Sequence, residues 1–258
     1  MFFRKKNKLF EELGYYTDQE GILERYYREQ EGWDKHLAQT KKYILDSISR
    51  YKNNSVAVLG SGWLLDLPIK ELSEHFKTVT LFDIFHPREI RQKCRKYKNI
   101  FFEEMDISGG AAEEAFVAST QYKRTSEKKS FSAFQIKGFQ YAANFDMYIS
   151  LNILNQLDII PCDYLLEHEV YSESELMEFR MLVQNAHLDS LPKGKACLIT
   201  DFEEEIISEK ENNIVKKNLV HISIPENDTV QKWQWEFDLS GNYHKNKKTI
   251  FNVIAVNV

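Results

Sequence analysis

A short apolar run, Ser55-Val56-Ala57-Val58-Leu59, leads straight into Gly60-Ser61-Gly62. Glycines at a strand end let the backbone turn sharply and let a ligand approach with no Cβ in the way. In open α/β sheets, ligands bind beyond the carboxyl ends of the strands. Asp83 lies near the end of the next strand-like run, TVTLFDI, about 20 residues past the glycines. A carboxylate there can accept hydrogen bonds from both ribose hydroxyls of an adenosine-containing ligand; the alternative is a helix cap or a solvated loop acid, and the upstream glycines favour the ribose. Asp106 ends a third run, IFFEEMDI, and has two equal readings: a partner for an adenine amino group, or a turn cap with Ser108. The fingerprint G-x-G-x-x-G fails because Leu65 stands where its third glycine belongs, so a nicotinamide cofactor is disfavoured. No Gly-Lys-Ser/Thr follows, so the P-loop pattern fails as well.

These residues need elements to hold them. From about residue 18 to 51 the pattern is helical: Trp33, Leu37, Ile44 and Ile48 share one face. Gly32 is expected to divide this region into two helices, and Asn53-Asn54 breaks it. Strands at 55–59, 78–84 and 100–107 then alternate with helices at 69–76 and 88–97, which reads as right-handed βαβ units in a parallel sheet. Residues 109–144 contain the polar stretch RTSEKKSFS and read as an insertion or mobile loop with one short helix near 111–118. A strand at 145–153, a helix at 174–191 and a strand at 196–200 follow. Strand-like runs at 219–224, 233–239 and 249–258 end the chain, the last two joined by the turn signal Ser240-Gly241-Asn242. The expected fold class is α/β: a Rossmann-like, mostly parallel sheet with helices on both faces, closed by a C-terminal antiparallel β-hairpin, plus N-terminal helices.

Composition sets outer bounds. The chain has 258 residues, with 34 Lys+Arg against 39 Asp+Glu and a formal charge of −5. A mildly acidic chain lacks the global positive field that drives phosphate binding, so nucleic acid is a disfavoured partner, with the local basic patch at Arg124 to Lys129 the one feature pointing the other way. No apolar stretch approaches the ~20 residues that span a bilayer, so no membrane partner is expected. The start, MFFRKKNKLFEELGYY, has no apolar h-region, and no signal peptide is expected. Cys94, Cys162 and Cys197 are odd in number and widely separated, which fits a reducing cytoplasm rather than a disulfide framework or zinc site. No His/Asp/Glu spacing argues for a metal.

VAVLGSGW, LFDI, EEMDIS and DMYISLN, in that order and with the closing hairpin, resemble the class I S-adenosylmethionine-dependent methyltransferases over 55–258. More narrowly, WDKHLAQT, GSGWLLDLP, DIFHP, SLNILNQL and WQWEF look like a group of poorly characterised bacterial methyltransferase-like proteins. The resemblance implies S-adenosylmethionine as cofactor and S-adenosylhomocysteine as product; it names no acceptor, and the net charge of −5 favours a small molecule over nucleic acid. It implies a helical extension at 1–53 covering the active-site side, and a methyltransferase-like domain at 54–258 with a polar insertion at about 109–144. Residue by residue, Gly60, Ser61 and Gly62 would line the methionine portion of the cofactor and Asp83 would bind the ribose. Asp106 and the backbone of Ile107 would contact adenine, and Ser150, Leu151 and Asn152 would lie beside the sulfonium. Two positions depart from the family pattern: Val58 replaces an acid and Leu64 a glycine. They motivate a second reading, a non-catalytic binding or scaffold protein with a degenerate cofactor loop. Asp66 can replace the missing acid at the cofactor's ammonium group or cap the following helix, and the cap is favoured.

The N-P-P-[FY] signature of many amino-group methyltransferases is absent. Asn152, Asn155 and Gln156 can orient a substrate; for Asn155 and Gln156, loop stabilisation is the simpler role. His36 and His86 are the candidate general bases, each weighed against a single structural hydrogen bond. Trp233 and Trp235 face one side of a strand, with core burial favoured over an aromatic cage. The run Glu203-Glu204-Glu205 is expected to follow the fifth strand and stay exposed.

Overall fold

The computed structural model describes residues 7–208, 210 and 212–258. Residues 1–6, the basic start of the N-terminal run discussed above, lie outside them. Strands β1 (Ser55–Leu59), β2 (Thr78–Asp83), β3 (Ile100–Glu104), β4 (Met147–Leu151), β5 (Ala196–Ser208), β6 (Asn213–Asn218), β7 (Gln231–Asp238) and β8 (Lys248–Asn257) form one sheet. Its order is β3-β2-β1-β4-β5-β8-β7, with β6 attached to β5. Pairing is parallel from β3 through β5 and antiparallel for β5–β8, β7–β8 and β5–β6. The central strands β1 and β4 are buried almost throughout, as their mostly apolar sequences require of parallel strands covered on both faces.

The helices are α1 (Lys8–Glu12), α2 (Tyr15–Arg28), α3 (Gln30–Ile48), α4 (Ile69–His75), α5 (Arg88–Cys94), α6 (Ala111–Thr125), α7 (Ile159–Glu167) and α8 (Glu173–Ser190). One core joins α3, α4 and α5 to the sheet through Trp33, Leu37, Ile44, Leu72 and Ile90. The opposite sheet face carries Leu59, Phe82 and Leu198, with α6, α7 and α8 forming a further core on that side. The expected α/β architecture with its closing hairpin is therefore present.

Several local expectations are corrected. The stretch 109–144 holds the 15-residue crossover helix α6, whose Ala111, Ala112, Ala115 and Ala118 are fully buried, followed by Phe131, Phe134 and Phe139 in the core. Its polar surface hid a small-residue stripe that period counting on large apolar residues misses. The acidic run 203–205 lies inside β5, not after it, because β5 continues to pair with β8 and β6. The run 219–224 is not a strand; β6 precedes it.

The N-terminal helices divide at Glu29, not at Gly32. Gly32 serves another purpose: a Cβ there would stand 2.4 Å from the carbonyl oxygen of Glu236, so α3 lies directly on β7. Beside this contact, β7 carries an extra residue, Phe237, between the pairs Glu236–Ile250 and Asp238–Thr249. β5 carries another, Phe202, between Asp201–Val253 and Glu203–Asn252. Such bulges bend a strand and re-aim its side chains. Both displaced carbonyls find donors: Trp33 Nε1 donates to Phe237 at 2.9 Å, and the amide of Leu219 donates to Phe202 at 2.9 Å.

Candidate active site

A cavity of about 330 Å³ opens at the carboxyl ends of β1, β2, β4 and β5, with α2 across it. On its β1–β2–β3 side the backbone does most of the shaping. Gly60 has φ +82°, and a Cβ would meet Ile153 Cγ2 at 2.0 Å, so only glycine lets β1 turn against the loop after β4. Gly62 also has positive φ, +44°, but a Cβ there would meet nothing within 4 Å. Its amide donates to Asp83 Oδ2 at 2.7 Å, tying the glycine loop to the end of β2. Asp83 Oδ1 accepts from the amide of Ile84 at 2.8 Å and sits 3.5 Å from Gln19 Nε2 of α2. Burial pushes the Asp83 carboxyl up to about 6, against the pull of these amides. Asp106 and Ile107 line the cavity edge. Asp106 also accepts from the amide of Ser108 at 2.9 Å, so the turn cap is formed while the residue still borders the cavity.

The helix α2 is pinned over this side. Gln19 Nε2 donates to the carbonyl of Phe85 at 3.1 Å, and Trp63 Nε1 of the glycine loop donates to the carbonyl of Gln19 at 2.7 Å. At the other end of α2, Glu29 Oε2 accepts the amide of Leu239 at 2.9 Å. Arg25 stacks over the rings of Phe237 and Tyr243 at 5.0 and 5.4 Å.

At the centre, Asn152 holds φ +50° and lines the cavity with Leu151. Its Nδ2 donates to Asp66 Oδ2 at 2.7 Å. Asp66 therefore borders the cavity and caps nothing: α4 has no side-chain cap. Burial raises the Asp66 carboxyl above its usual value. His36 is buried with its ring stacked on Trp235 at 4.1 Å. Its Nδ1 accepts from Trp233 Nε1 at 3.1 Å. An indole nitrogen only donates, so Nδ1 is bare and Nε2 carries the ring proton. That Nε2 faces Asn152 Nδ2 at 3.4 Å, donor against donor. Burial pushes the His36 pKa down to about 3, and the ring is neutral.

Two sequence candidates do not reach the cavity. Ser150 is fully buried and its Oγ pairs with His187 Nε2 at 2.8 Å on the far face. His86 is buried behind the glycine loop, 3.0 Å from Ser61 Oγ. Gly60, Ser61, Gly62, Asp83, Asp106, Ile107, Leu151, Asn152, Asn155, Gln156 and His36 are all brought to the cavity wall.

The β5–β8–β7 side was not foreseen. Asp201 of β5 lines the cavity, with Oδ2 accepting from Asn155 Nδ2 at 2.8 Å. Trp33, Trp235, Phe237 and Phe251 form an aromatic wall with ring centroids 4.4 to 5.6 Å apart. Thus Trp235 is both buried and part of the cavity wall, whereas the sequence reading separated those roles. The available signal was Asp201 itself, an acid ending the apolar run ACLIT as Asp83 ends TVTLF.

No group of His, Cys, Asp and Glu able to hold a metal exists among the described residues. No helix among them is long and apolar enough to cross a membrane.

No family model and no curated sequence matches the chain. Solved structures do. The N-methyltransferase NodS from Bradyrhizobium japonicum, in complex with S-adenosyl-L-homocysteine, is 13% identical with a TM-score of 0.37, over 84% of this chain and 85% of that one. A 1,6-didemethyltoxoflavin-N1-methyltransferase from Burkholderia thailandensis is 9% identical with a TM-score of 0.43, over 100% and 93%. DhpI in complex with SAH is 11% identical with a TM-score of 0.40, over 95% of each chain. At these identities and scores the likeness speaks for no particular activity.

Proposed function

We propose that this chain is an S-adenosylmethionine-dependent methyltransferase acting on a small molecule. The carrying observation is the pairing of Gly62 with Asp83: an open glycine edge and a strand-end carboxylate, joined at 2.7 Å, both border the cavity. Asp83 would take the ribose hydroxyls, displacing the long Gln19 contact. Gly60, Ser61 and Gly62 would follow the methionine portion, Asp106 and Ile107 the adenine, and Leu151 and Asn152 the sulfonium. Ser150 has no part in this arrangement.

The departures from the family pattern are absorbed locally. Leu64 holds φ +54°, the conformation glycine would give, while its side chain is buried in the core. Val58 is fully buried, and Asp66 supplies an acid at the cavity in its stead. These features support an enzyme over a degenerate scaffold. When bound, S-adenosylmethionine supplies an electrophilic methyl group; the protein binds, orients and excludes water. His36 is not a general base, because its only lone pair, on Nδ1, already accepts from Trp233. His86 supports the glycine loop through Ser61. The three free cysteines are buried, which fits a cytoplasmic setting.

Calorimetric and thermal-shift titration with S-adenosylhomocysteine, S-adenosylmethionine and NAD tests this reading. Both sulfur ligands are expected to bind, stabilising the fold by about 2.7 kcal/mol at 100 times the dissociation constant. Asp83→Asn is expected to weaken them at least tenfold. No response at millimolar concentration to either sulfur ligand sinks the reading.

A further inference from the structure

On the acceptor side, three polar atoms have no hydrogen-bond partner among the described residues: Asp201 Oδ1, Asn152 Oδ1 and Trp235 Nε1. Asp201 is 2% exposed and Asn152 8%, and both line the cavity. Buried polar atoms are ordinarily paired, and a buried carboxylate oxygen without a partner is costly. Two of the three orphans are acceptors, so the missing partner is a hydrogen-bond donor. The surroundings specify its charge. Asp18, Asp66, Asp83, Asp106 and Asp201 border the cavity against Arg25, whose guanidinium is already stacked on Phe237 and Tyr243. Aromatic faces attract cations by their quadrupole, and Trp235, Phe237, Tyr243 and Phe251 stand on this side.

We propose that the methyl acceptor is a small organic amine, bound as its ammonium ion by Asp201 and Asn152 against the aromatic wall. The proposal rests on the methyltransferase reading above. Register places the two groups suitably. The amide of Asn152 donates to the carbonyl of Ile199 at 2.8 Å, and Asp201 is two residues further along the neighbouring strand. Adjacent strands lie about 4.8 Å apart, so Asp201 stands one strand away from the position assigned to the sulfonium. Asp201 Oδ1 takes a proton from the ammonium, freeing the nitrogen lone pair. That pair forms a bond to the methyl carbon as the carbon–sulfur bond breaks, and the bond's electrons stay on sulfur. The products are the methylated ammonium and S-adenosylhomocysteine, and the proton leaves Asp201 for solvent. An anionic acceptor meets the Asp201 carboxylate in a cavity bordered by four further carboxyls, and an alcohol leaves the Asp201 charge unmatched.

The test is calorimetry with S-adenosylhomocysteine saturating, using benzylamine, phenethylamine and tryptamine, each against its alcohol counterpart, and phenylacetate. At least one amine is expected to bind tenfold or more tighter than its alcohol, with phenylacetate weakest. Asp201→Asn is expected to remove that preference while leaving S-adenosylhomocysteine affinity unchanged. Tyr243→Leu, which keeps apolar volume, is expected to weaken the amine several-fold and the alcohol not at all. Equal binding of amine and alcohol, no amine binding at all, or an intact preference in Asp201→Asn overturns the proposal. If S-adenosylhomocysteine itself does not bind the unaltered protein, the methyltransferase reading falls instead.

Discussion

On the β1–β2–β3 side of the cavity, backbone edges and strand-end carboxylates between Gly60 and Ser108 form the floor, with α2 laid across them. On the β5–β8–β7 side the lining groups are side chains contributed by α3, β5, β7 and β8, from Trp33 to Phe251. The first side is set by where each strand stops. The second exists only once two bulges and one helix–sheet contact have brought distant segments together. A shape made by strand ends suits a ligand of fixed form, and a shape made by side chains suits a partner that differs from one protein to the next.

Four substitutions can break or sharpen that contrast. The largest effect is expected at Gly60→Ala, where a left-handed φ costs about 1–2 kcal/mol and overpacking against Ile153 about 1–3 kcal/mol more. Gly62→Ala, with only the conformational cost, is expected to keep the fold and lose S-adenosylhomocysteine affinity. Urea melts and calorimetry of the pair check this, and equal stability losses would refute the division of labour between the two glycines. Next is Gly32→Ala, expected to cost about 1–3 kcal/mol by pushing α3 off Glu236. It should spare S-adenosylhomocysteine binding while abolishing amine binding; loss of both would mean the two sides are not separable.

The smallest effect concerns Asp201 and pH. Its carboxyl is raised by burial to about 6, above its unfolded value. The folded state therefore holds the proton more tightly between about pH 4 and 6, and stability from this group declines as pH rises through that window. Asp201→Asn removes the penalty of the buried charge. Its Tm should approach that of the unaltered protein as the pH falls to about 4 and exceed it at pH 8, by about 2–4 °C for each kcal/mol of that penalty in a domain of this size. Differential scanning calorimetry at the two pH values decides it, and a lower Tm at pH 8 would show that the Asp201 charge is compensated.

The sequence made the first side readable for a physical reason. Glycines and acids at strand ends interrupt an apolar period, so Gly60, Gly62, Asp83 and Asp106 announce themselves. Asp66 was readable as an acid near the glycine loop, but only its bond to Asn152 separates a cavity group from a cap. The aromatic wall was opaque because Trp33, Trp235 and Phe251 carry ordinary core periodicity, and burial looks the same whether a ring backs onto a core or a cavity. The bulges at Phe202 and Phe237 leave no mark in the sequence at all. They arise from pairing with β8, whose register depends on the whole sheet. Ser150 shows the converse: its place at the end of β4 was right, but alternation along the strand turns its hydroxyl toward His187.

The bond from Trp33 Nε1 to the carbonyl of Phe237 spans 204 residues, and that from the Leu239 amide to Glu29 spans 210. Contacts that distant impose an order of events on a chain made from its N-terminus. The helices α2 and α3 leave the ribosome before β7 and β8, yet the surface they need is completed by that hairpin. Until then Trp33 and Leu37 have no sheet to cover. The segment that roofs the cavity is therefore made about 200 residues before the hairpin that fixes it in place.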